Sequence, residues 1–408
     1  MIQLSSSGLP VRGSIQITGS KSESNRLLLL NQLYQNTLNI ENLSNAEDTQ
    51  LMQKALVTSD SLIDIHHAGT AMRFLTAYFA IQENKTVTLT GSDRMKQRPI
   101  QVLVEALRAL GADISYLEKE GFPPLRISGK KLQQFSIVIP ADVSSQYITA
   151  LMLIGTQLEQ GLTIELQGKI ISKPYLLMSI KLMNKLGIDA NIQNNTISIK
   201  PKKNIESRTI QVESDWSSAS YYYSIVALSL KSEIQISTYY AASLQGDSAL
   251  QALYRKHFGV DSTFDNGILH LKNNPNFELS EYVELDMNHT PDIAQTIAVT
   301  CVGKQLKCHL TGLETLKIKE TDRLQALKNE LEKLGAIVHI TADSLRITGY
   351  REKFDEIPTF ETYNDHRMAM CVAPLAVLHP IAIEHPEVVE KSYPDFWRDL
   401  MTLGFQLH

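Results

Sequence analysis

The chain is short of cysteine: three in 408 residues, Cys301, Cys308 and Cys371, with no CxxC pair among them. An odd, unclustered set argues against a disulfide framework or a zinc knuckle and suits a reducing compartment. Long apolar runs are lacking too; none approaches the ~18 residues a membrane-spanning helix needs. The opening MIQLSSSGLPVRG has no charged-then-apolar signal pattern. Cationic excess is missing: 39 Lys and Arg face 44 Asp and Glu, a net charge of −5, whereas a protein gripping nucleic acid over a wide face is usually basic. No HExxH, Cys/His cluster or glycine-rich dinucleotide loop offers to hold zinc or a nucleotide. These absences predict a soluble cytosolic protein with no membrane span, no wide nucleic-acid face and no zinc or nucleotide site; a monomer acting on small molecules is the further expectation. With 43 % apolar and 20 % charged residues the chain is a folding one. Its length exceeds one ordinary core, so two domains are expected.

One phrase recurs: an amphipathic helix, Leu-Gly or Phe-Gly, a strand, a turn and a second strand. It begins near Val102, Leu177, Ala249 and Arg323, and the chain ends on a truncated copy, PDFWRDLMTLGFQLH. Gly111, Gly187, Gly259, Gly335 and Gly404 mark the helix ends, at spacings of 69 to 76 residues. In the fourth copy Leu324, Leu327, Leu331 and Leu334 make one apolar stripe. Glycine then ends the helix because it adopts the left-handed conformation cheaply. A weaker sixth copy, ALVTSDSLIDI, precedes residue 70 with a helix and a return strand. The fold expected is α/β, two domains each of three repeated βαβαββ units, with helix N-termini facing an interdomain cleft. An N-terminal strand, Ser14–Thr18, is expected to complete the C-terminal domain. The chain would then cross near residues 20 and 213, giving domains 1–19 plus 213–408 and 20–212.

Polar segments at the helix starts break the core pattern. Gly19–Arg26 is a glycine turn feeding a helix with lysine and small hydroxyls, a natural anion site. A P-loop is excluded, because five residues rather than four separate Gly13 from Gly19. Ala68–Arg73 lets a backbone approach a ligand closely. Asp93–Ile100 sets three cations in a short loop. Ser144-Ser145-Gln146 and Ser172-Lys173-Pro174 open helices. Asp292, beside Pro291, reads equally as a helix cap or a proton-transfer carboxylate. Asp322 and Gln325 look like a capping pair. That leaves Lys319, Glu320 and Arg323 without structural duty: a carboxylate flanked by cations, an acid/base candidate at an anion site. Lys21, Arg26, Arg73, Arg98, Lys319, Arg323, Arg367 and Lys391 all stand at or near helix starts. If the helices aim at one place, they make a strongly positive pocket for a small, multiply anionic ligand.

Taken together and in order, GSKSESNR, AGTAMR, RMKQRPI, SSQ, SKPY, DWSSASY, SLQGD, MNHTPD, KETDRL and TYNDHRMAM resemble the 5-enolpyruvylshikimate-3-phosphate synthase family over nearly the whole chain. The resemblance implies transfer of the enolpyruvyl group of phosphoenolpyruvate to the 5-hydroxyl of shikimate 3-phosphate by addition–elimination, without a metal or cofactor. It implies that Lys21, Ser22, Arg26, Ser144, Ser145, Gln146, Ser172, Asp292, Thr315 and Lys319 hold shikimate 3-phosphate. Lys21, Gly69, Arg98, Gln146, Arg323, Arg367 and Lys391 would hold phosphoenolpyruvate. Asp292 would take the hydroxyl proton, and Glu320, with Lys21, would protonate the methylene carbon. The family usually has asparagine and proline where His67 and Phe74 flank AGTAMR, and asparagine at Thr315. Gly69 is retained, so glyphosate is expected to inhibit. The rivals are the sister transferase acting on UDP-N-acetylglucosamine, which typically carries a reactive cysteine, and a non-enzymatic anion-binding repeat scaffold. Glu320 and Asp292 argue against the scaffold, since a pure anion binder gains nothing from carboxylates among its cations.

Overall fold

Each glycine that closes a repeat helix takes a left-handed backbone, φ +107° at Gly111, +75° at Gly187, +68° at Gly259, +80° at Gly335 and +90° at Gly404. That conformation is cheap for glycine alone. It turns the chain from each helix into the strand pair that follows. The computed structural model describes residues 1–6, 10–351 and 357–408. Two units result, a split one of Met1–Gly19 with Glu213–His408 and a continuous one of Ser20–Val212.

Five four-stranded sheets share one plan. In the sheet of Ser136–Pro140, Leu162–Gln167, Ala190–Gln193 and Thr196–Ile199 the first two strands are parallel. The hairpin of the last two joins antiparallel through its second strand, giving the order first, second, fourth, third. A helix covers each parallel crossover, and a second helix precedes the hairpin. The split unit has three such sheets and the continuous unit two.

The sixth copy departs from expectation. Its sheet has two strands, Leu38–Glu41 and Arg208–Gln211, paired in parallel. The expected helix is there, Glu47–Val57, but the strand after it, Leu62–Asp64, does not return to this sheet. It opens the next one, parallel to Thr86–Thr90. The hairpin is missing from this copy, because too few residues separate that helix from the next sheet's first strand.

The N-terminus also differs from expectation. The strand expected at Ser14–Thr18 is Arg12–Gln16, and its parallel partner is Glu233–Ser237. The truncated last copy is completed instead by Ile2–Ser6, antiparallel to both Ile381–Ile383 and Phe405–Leu407. A strand that meets its partner some 400 residues away carries no local signal of that pairing.

Each unit has a helix buried on every side. All residues of Gly69–Ala80 and of Trp216–Leu228 are buried, as expected of a helix without a polar face. The second carries three tyrosines, so hydroxyls must be satisfied in the core. Tyr222 Oη pairs with Tyr393 Oη at 2.8 Å, which donates to Asp399 at 2.6 Å, and Tyr223 Oη pairs with Ser262 Oγ at 2.7 Å. Among the described residues no helix is long and apolar enough to cross a membrane.

Candidate functional site

In the continuous unit, four helix starts are tied together by polar contacts. Ser20 caps Lys21–Leu33 by accepting from the Glu23 amide. Lys21, the first residue of that helix, pairs with Asp48 at 3.4 Å. One turn later Arg26 is buried. Its Nε donates to Ser179 Oγ at 2.7 Å, Nη1 to the Ser22 carbonyl at 2.6 Å and Nη2 to the Tyr175 carbonyl at 3.4 Å. Burial pushes its guanidinium down to about 10, with Tyr175 and Glu23 opposing, so it stays charged at neutral pH. Its guanidinium lies 5.8 Å from the ring of Phe74, which gives this buried cation a cation–π partner. Ser179 links on to Thr149 at 3.3 Å, and Gln146 Nε2 donates to Thr70 Oγ1 at 3.1 Å. These bonds link the helices Lys21–Leu33, Gly69–Ala80, Ser145–Gly155 and Lys173–Lys185 to one another through residues of their first two turns.

Gly69 and Arg98 meet within this group. A Cβ on Gly69 would lie 2.7 Å from Arg98 Nη1 and 3.1 Å from Nη2. The guanidinium therefore rests on the bare backbone at a helix start, and only glycine leaves it room. Arg73, another of the cations at helix starts, is bonded to the backbone here. It is buried and donates to the carbonyls of Gly69 and Pro99, each at 3.2 Å; it fixes the two segments that carry Gly69 and Arg98. Ser144 caps its helix by accepting from the Gln146 amide at 3.4 Å. Ser172 stands at its helix start with φ +53° and makes no side-chain cap bond.

In the split unit, carboxylates and cations interlock. Arg323 is 2 % exposed. It donates through Nε and Nη2 to both oxygens of Asp365, at 2.7 and 3.2 Å. Nη2 also reaches Glu320 at 2.8 Å, and Nη1 reaches Asp292 at 3.5 Å. Lys391 Nζ donates to the other Glu320 oxygen at 2.7 Å. Asp292 further meets Arg367 Nη2 at 3.2 Å and Lys319 Nζ at 3.7 Å, while its carbonyl accepts from Arg367 Nη1 at 2.9 Å. Asp292 stands in the first turn of the short helix Pro291–Ile293, whose cap residue, Thr290, makes no side-chain cap bond. Asp322 does cap the Arg323–Glu332 helix, accepting from Leu324 and Gln325 at 3.1 and 3.2 Å. The Gln325 side chain, however, donates to Asn329 at 2.7 Å and does not reach back to Asp322.

The electrostatics follow from burial. Desolvation works against the charge of Arg323, but Asp365, Glu320 and Asp292 outweigh it and hold the guanidinium above its ordinary range. Lys319 is pushed down by lost solvation, with Asp292 opposing and Arg323 adding to the fall. Asp247, buried on the turn Gly246–Ala249, has its carboxyl raised to about 8 by burial first and by the field of Asp292 second. Its native form keeps a proton that the unfolded chain loses near pH 3.8. The stability it contributes is complete below that value and falls away as pH rises through about 8. Replacing Asp247 by Asn is expected to flatten the decline of the urea midpoint between about pH 4 and 8. Parallel curves for parent and variant would contradict this.

Asp365 and Asp247 escaped the sequence reading. Asp365 caps the His366–Val372 helix through the Arg367 amide at 2.9 Å, so its local pattern is that of any cap. Its second partner, Arg323, is 42 residues away. Asp247 stands in the SLQGD motif, but nothing in the sequence marks it as buried.

The sequence model of EPSP synthase (3-phosphoshikimate 1-carboxyvinyltransferase) matches residues 6–58 and 53–400. A 3-phosphoshikimate 1-carboxyvinyltransferase of Bacteroides fragilis is 44 % identical over 97 % of this chain and 96 % of its own. One from Mannheimia haemolytica is 34 % identical, over 97 % of each chain. Among solved structures, EPSP synthase from Acinetobacter baumannii superposes with a TM-score of 0.78 at 20 % identity, covering 100 % of this chain and 99 % of its own. The enolpyruvyl transferase NikO from Streptomyces tendae gives 0.73 at 14 % identity, covering 100 % and 98 %.

Proposed function

The chain belongs to the EPSP synthase (3-phosphoshikimate 1-carboxyvinyltransferase) family, and on that premise we propose that it transfers the enolpyruvyl group of phosphoenolpyruvate to the 5-hydroxyl of shikimate 3-phosphate, releasing phosphate. The observation that carries the mechanism is that two carboxylates, Glu320 and Asp292, are each held among cations that anionic substrates would claim.

While its cations face it, Asp292 is a weak base. Phosphate and carboxylate groups draw Lys319, Arg323 and Arg367 toward themselves and free Asp292 to take the proton of the 5-hydroxyl. Glu320 likewise gives up Arg323 and Lys391 and gains affinity for a proton, which it delivers to the methylene carbon of phosphoenolpyruvate. The hydroxyl oxygen bonds to C2, and a tetrahedral ketal phosphate forms. Its collapse breaks the C–O bond to phosphate, returns a proton from the methyl group and restores the double bond. The cations stabilise the charge that develops.

Shikimate 3-phosphate is assigned to Lys21, Ser22, Arg26, Ser144, Ser145, Gln146, Ser172, Asp292, Thr315 and Lys319. The Thr315 hydroxyl is buried without a protein hydrogen-bond partner, as a substrate contact would be in the free protein. Phosphoenolpyruvate is assigned to Lys21, Gly69, Arg98, Gln146, Arg323, Arg367 and Lys391. Lys21 is assigned a share in the proton transfer. The proposed enzyme is a monomer that acts in the cytoplasm.

The sister reaction on UDP-N-acetylglucosamine is disfavoured. All three cysteines are buried, and burial holds the Cys371 thiol, and a hydrogen bond to Cys308 with burial the Cys301 thiol, far from the reactive thiolate. The test is phosphate release from phosphoenolpyruvate. Release is expected only with shikimate 3-phosphate present; release with UDP-N-acetylglucosamine instead contradicts the assignment.

Gly69→Ala is expected to fold as the parent does, because its new methyl meets only the far end of a flexible arginine. Arg98 must move off the backbone. The KM for phosphoenolpyruvate should rise about tenfold or more, with a smaller change in kcat, since a charge-assisted contact common to ground and transition states is weakened. An unchanged KM would remove Arg98 from that subsite.

A further inference from the structure

Glu47, His66 and His67 stand together in the continuous unit, and none of the three is among the residues assigned above to either substrate. One ligand atom from each lies within 4.8 Å of the others. His67 Nε2 is 3.0 Å from Glu47 Oε2, and the two imidazole rings stand edge to face, their centroids 6.2 Å apart. The sequence shows no such cluster, because Glu47 is distant in the chain and a His-His pair alone is no motif.

The backbone beneath these side chains is fixed. His66 has φ +46°, a left-handed conformation that is costly for a residue with a Cβ. It is held there from both sides: its amide donates to Asp64 Oδ1 at 2.8 Å, and its carbonyl accepts from the Ser92 amide at 2.9 Å. The turn closes when the Ala68 amide donates to the Ile65 carbonyl at 2.9 Å. Glu47 begins the Glu47–Val57 helix directly after the buried Ala46. This turn aims two imidazoles at one carboxylate, while the side chains of His67 and Glu47 keep 37 % and 36 % of their surface exposed. The His67–Glu47 spacing already suits the edge of a tetrahedron with bonds of about 2 Å, and His66, which is exposed, has only to close from within 4.8 Å.

We propose that Glu47, His66 and His67 form a three-ligand site for a divalent transition metal ion of the zinc type, with the fourth position open to water. Two imidazoles and a carboxylate suit zinc, copper, nickel or cobalt, and do not suit magnesium or calcium, which take oxygen shells. The single carboxylate leaves the bound ion a net positive charge. His67 is two residues from Gly69, and Glu47 is next to Asp48, the partner of Lys21. An ion here adds positive field beside elements already arranged for anions. The site does not depend on the proposed reaction.

The test uses the full chain, stripped of metal and titrated with zinc or cobalt ions. Binding of one zinc ion in the micromolar range or tighter is expected, with a tetrahedral cobalt visible spectrum. Magnesium in millimolar excess should not displace either ion. His66→Ala, His67→Ala and Glu47→Gln should each weaken zinc binding by about tenfold or more, and zinc should raise the melting temperature of the parent but not of the variants. X-ray absorption of the parent's zinc complex should show two imidazole ligands and oxygen, a readout that needs no variant. Equal zinc binding by the parent and the His66→Ala/His67→Ala double variant, displacement by magnesium, or a zinc shell without two imidazoles would overturn the proposal.

Discussion

Glu320→Gln folds, binds both substrates and turns over about two to four orders of magnitude more slowly, the usual share of a general acid. The side chain keeps its shape and can still accept from Lys391 or Arg323, whose contacts at 2.7 and 2.8 Å define its position. Arg323 does not lose its place, because Asp365 grips it through two further bonds. On the proposed mechanism the variant therefore removes a proton donor and little else. Without that proton the methylene carbon of phosphoenolpyruvate cannot become a methyl group, and C2 is not activated toward the hydroxyl. Single-turnover kinetics with both substrates saturating isolate the step. Activity near that of the parent would take Glu320 out of the mechanism and leave it as one more counter-ion.

The largest effect on stability is expected at a residue that does no chemistry. Asp365→Ala leaves the Arg323 guanidinium buried at 2 % exposure without its main partner. Breaking a buried pair from one side costs about 3–5 kcal/mol, and the same substitution removes the cap of the His366–Val372 helix, worth about 1 kcal/mol. The denaturation midpoint of the split unit should fall accordingly. Asp365→Asn retains the cap and one hydrogen bond and should fall less. The double variant Asp365→Ala/Arg323→Met should regain part of the loss, because no charge then stays buried. A midpoint for Asp365→Ala equal to the parent's would show that Arg323 has found other partners and that the pair is not what organises the site.

The repeat was legible because its punctuation is local. Leu-Gly at a helix end needs only the residues beside it, and all five such glycines adopt the backbone that the motif requires. What depends on distant pairing was not legible. Ile2–Ser6 looks like any short strand, yet it completes the last sheet, and Leu62–Asp64 belongs to a different sheet from the one its neighbours suggest. The candidate site divides in the same way. Lys319, Glu320 and Arg323 are polar residues with no local structural use, and that surplus marked them out. Asp365 has a local use as a cap, which hid its second role. Arg73 shows the converse: a conspicuous arginine that donates to two backbone carbonyls, groups that every sequence contains.

In the mechanism proposed above, Glu320 and Asp292 run an addition followed by an elimination, through an intermediate in which the methylene of phosphoenolpyruvate has become a methyl group. Turnover in heavy water reads this directly. Protonation at carbon introduces one deuterium, and the collapse removes either a hydrogen or that deuterium from the rotating methyl group. The predicted result is product whose enolpyruvyl methylene carries deuterium by mass spectrometry, and only when shikimate 3-phosphate is present. Product formed at the normal rate with no deuterium in that methylene would contradict the mechanism.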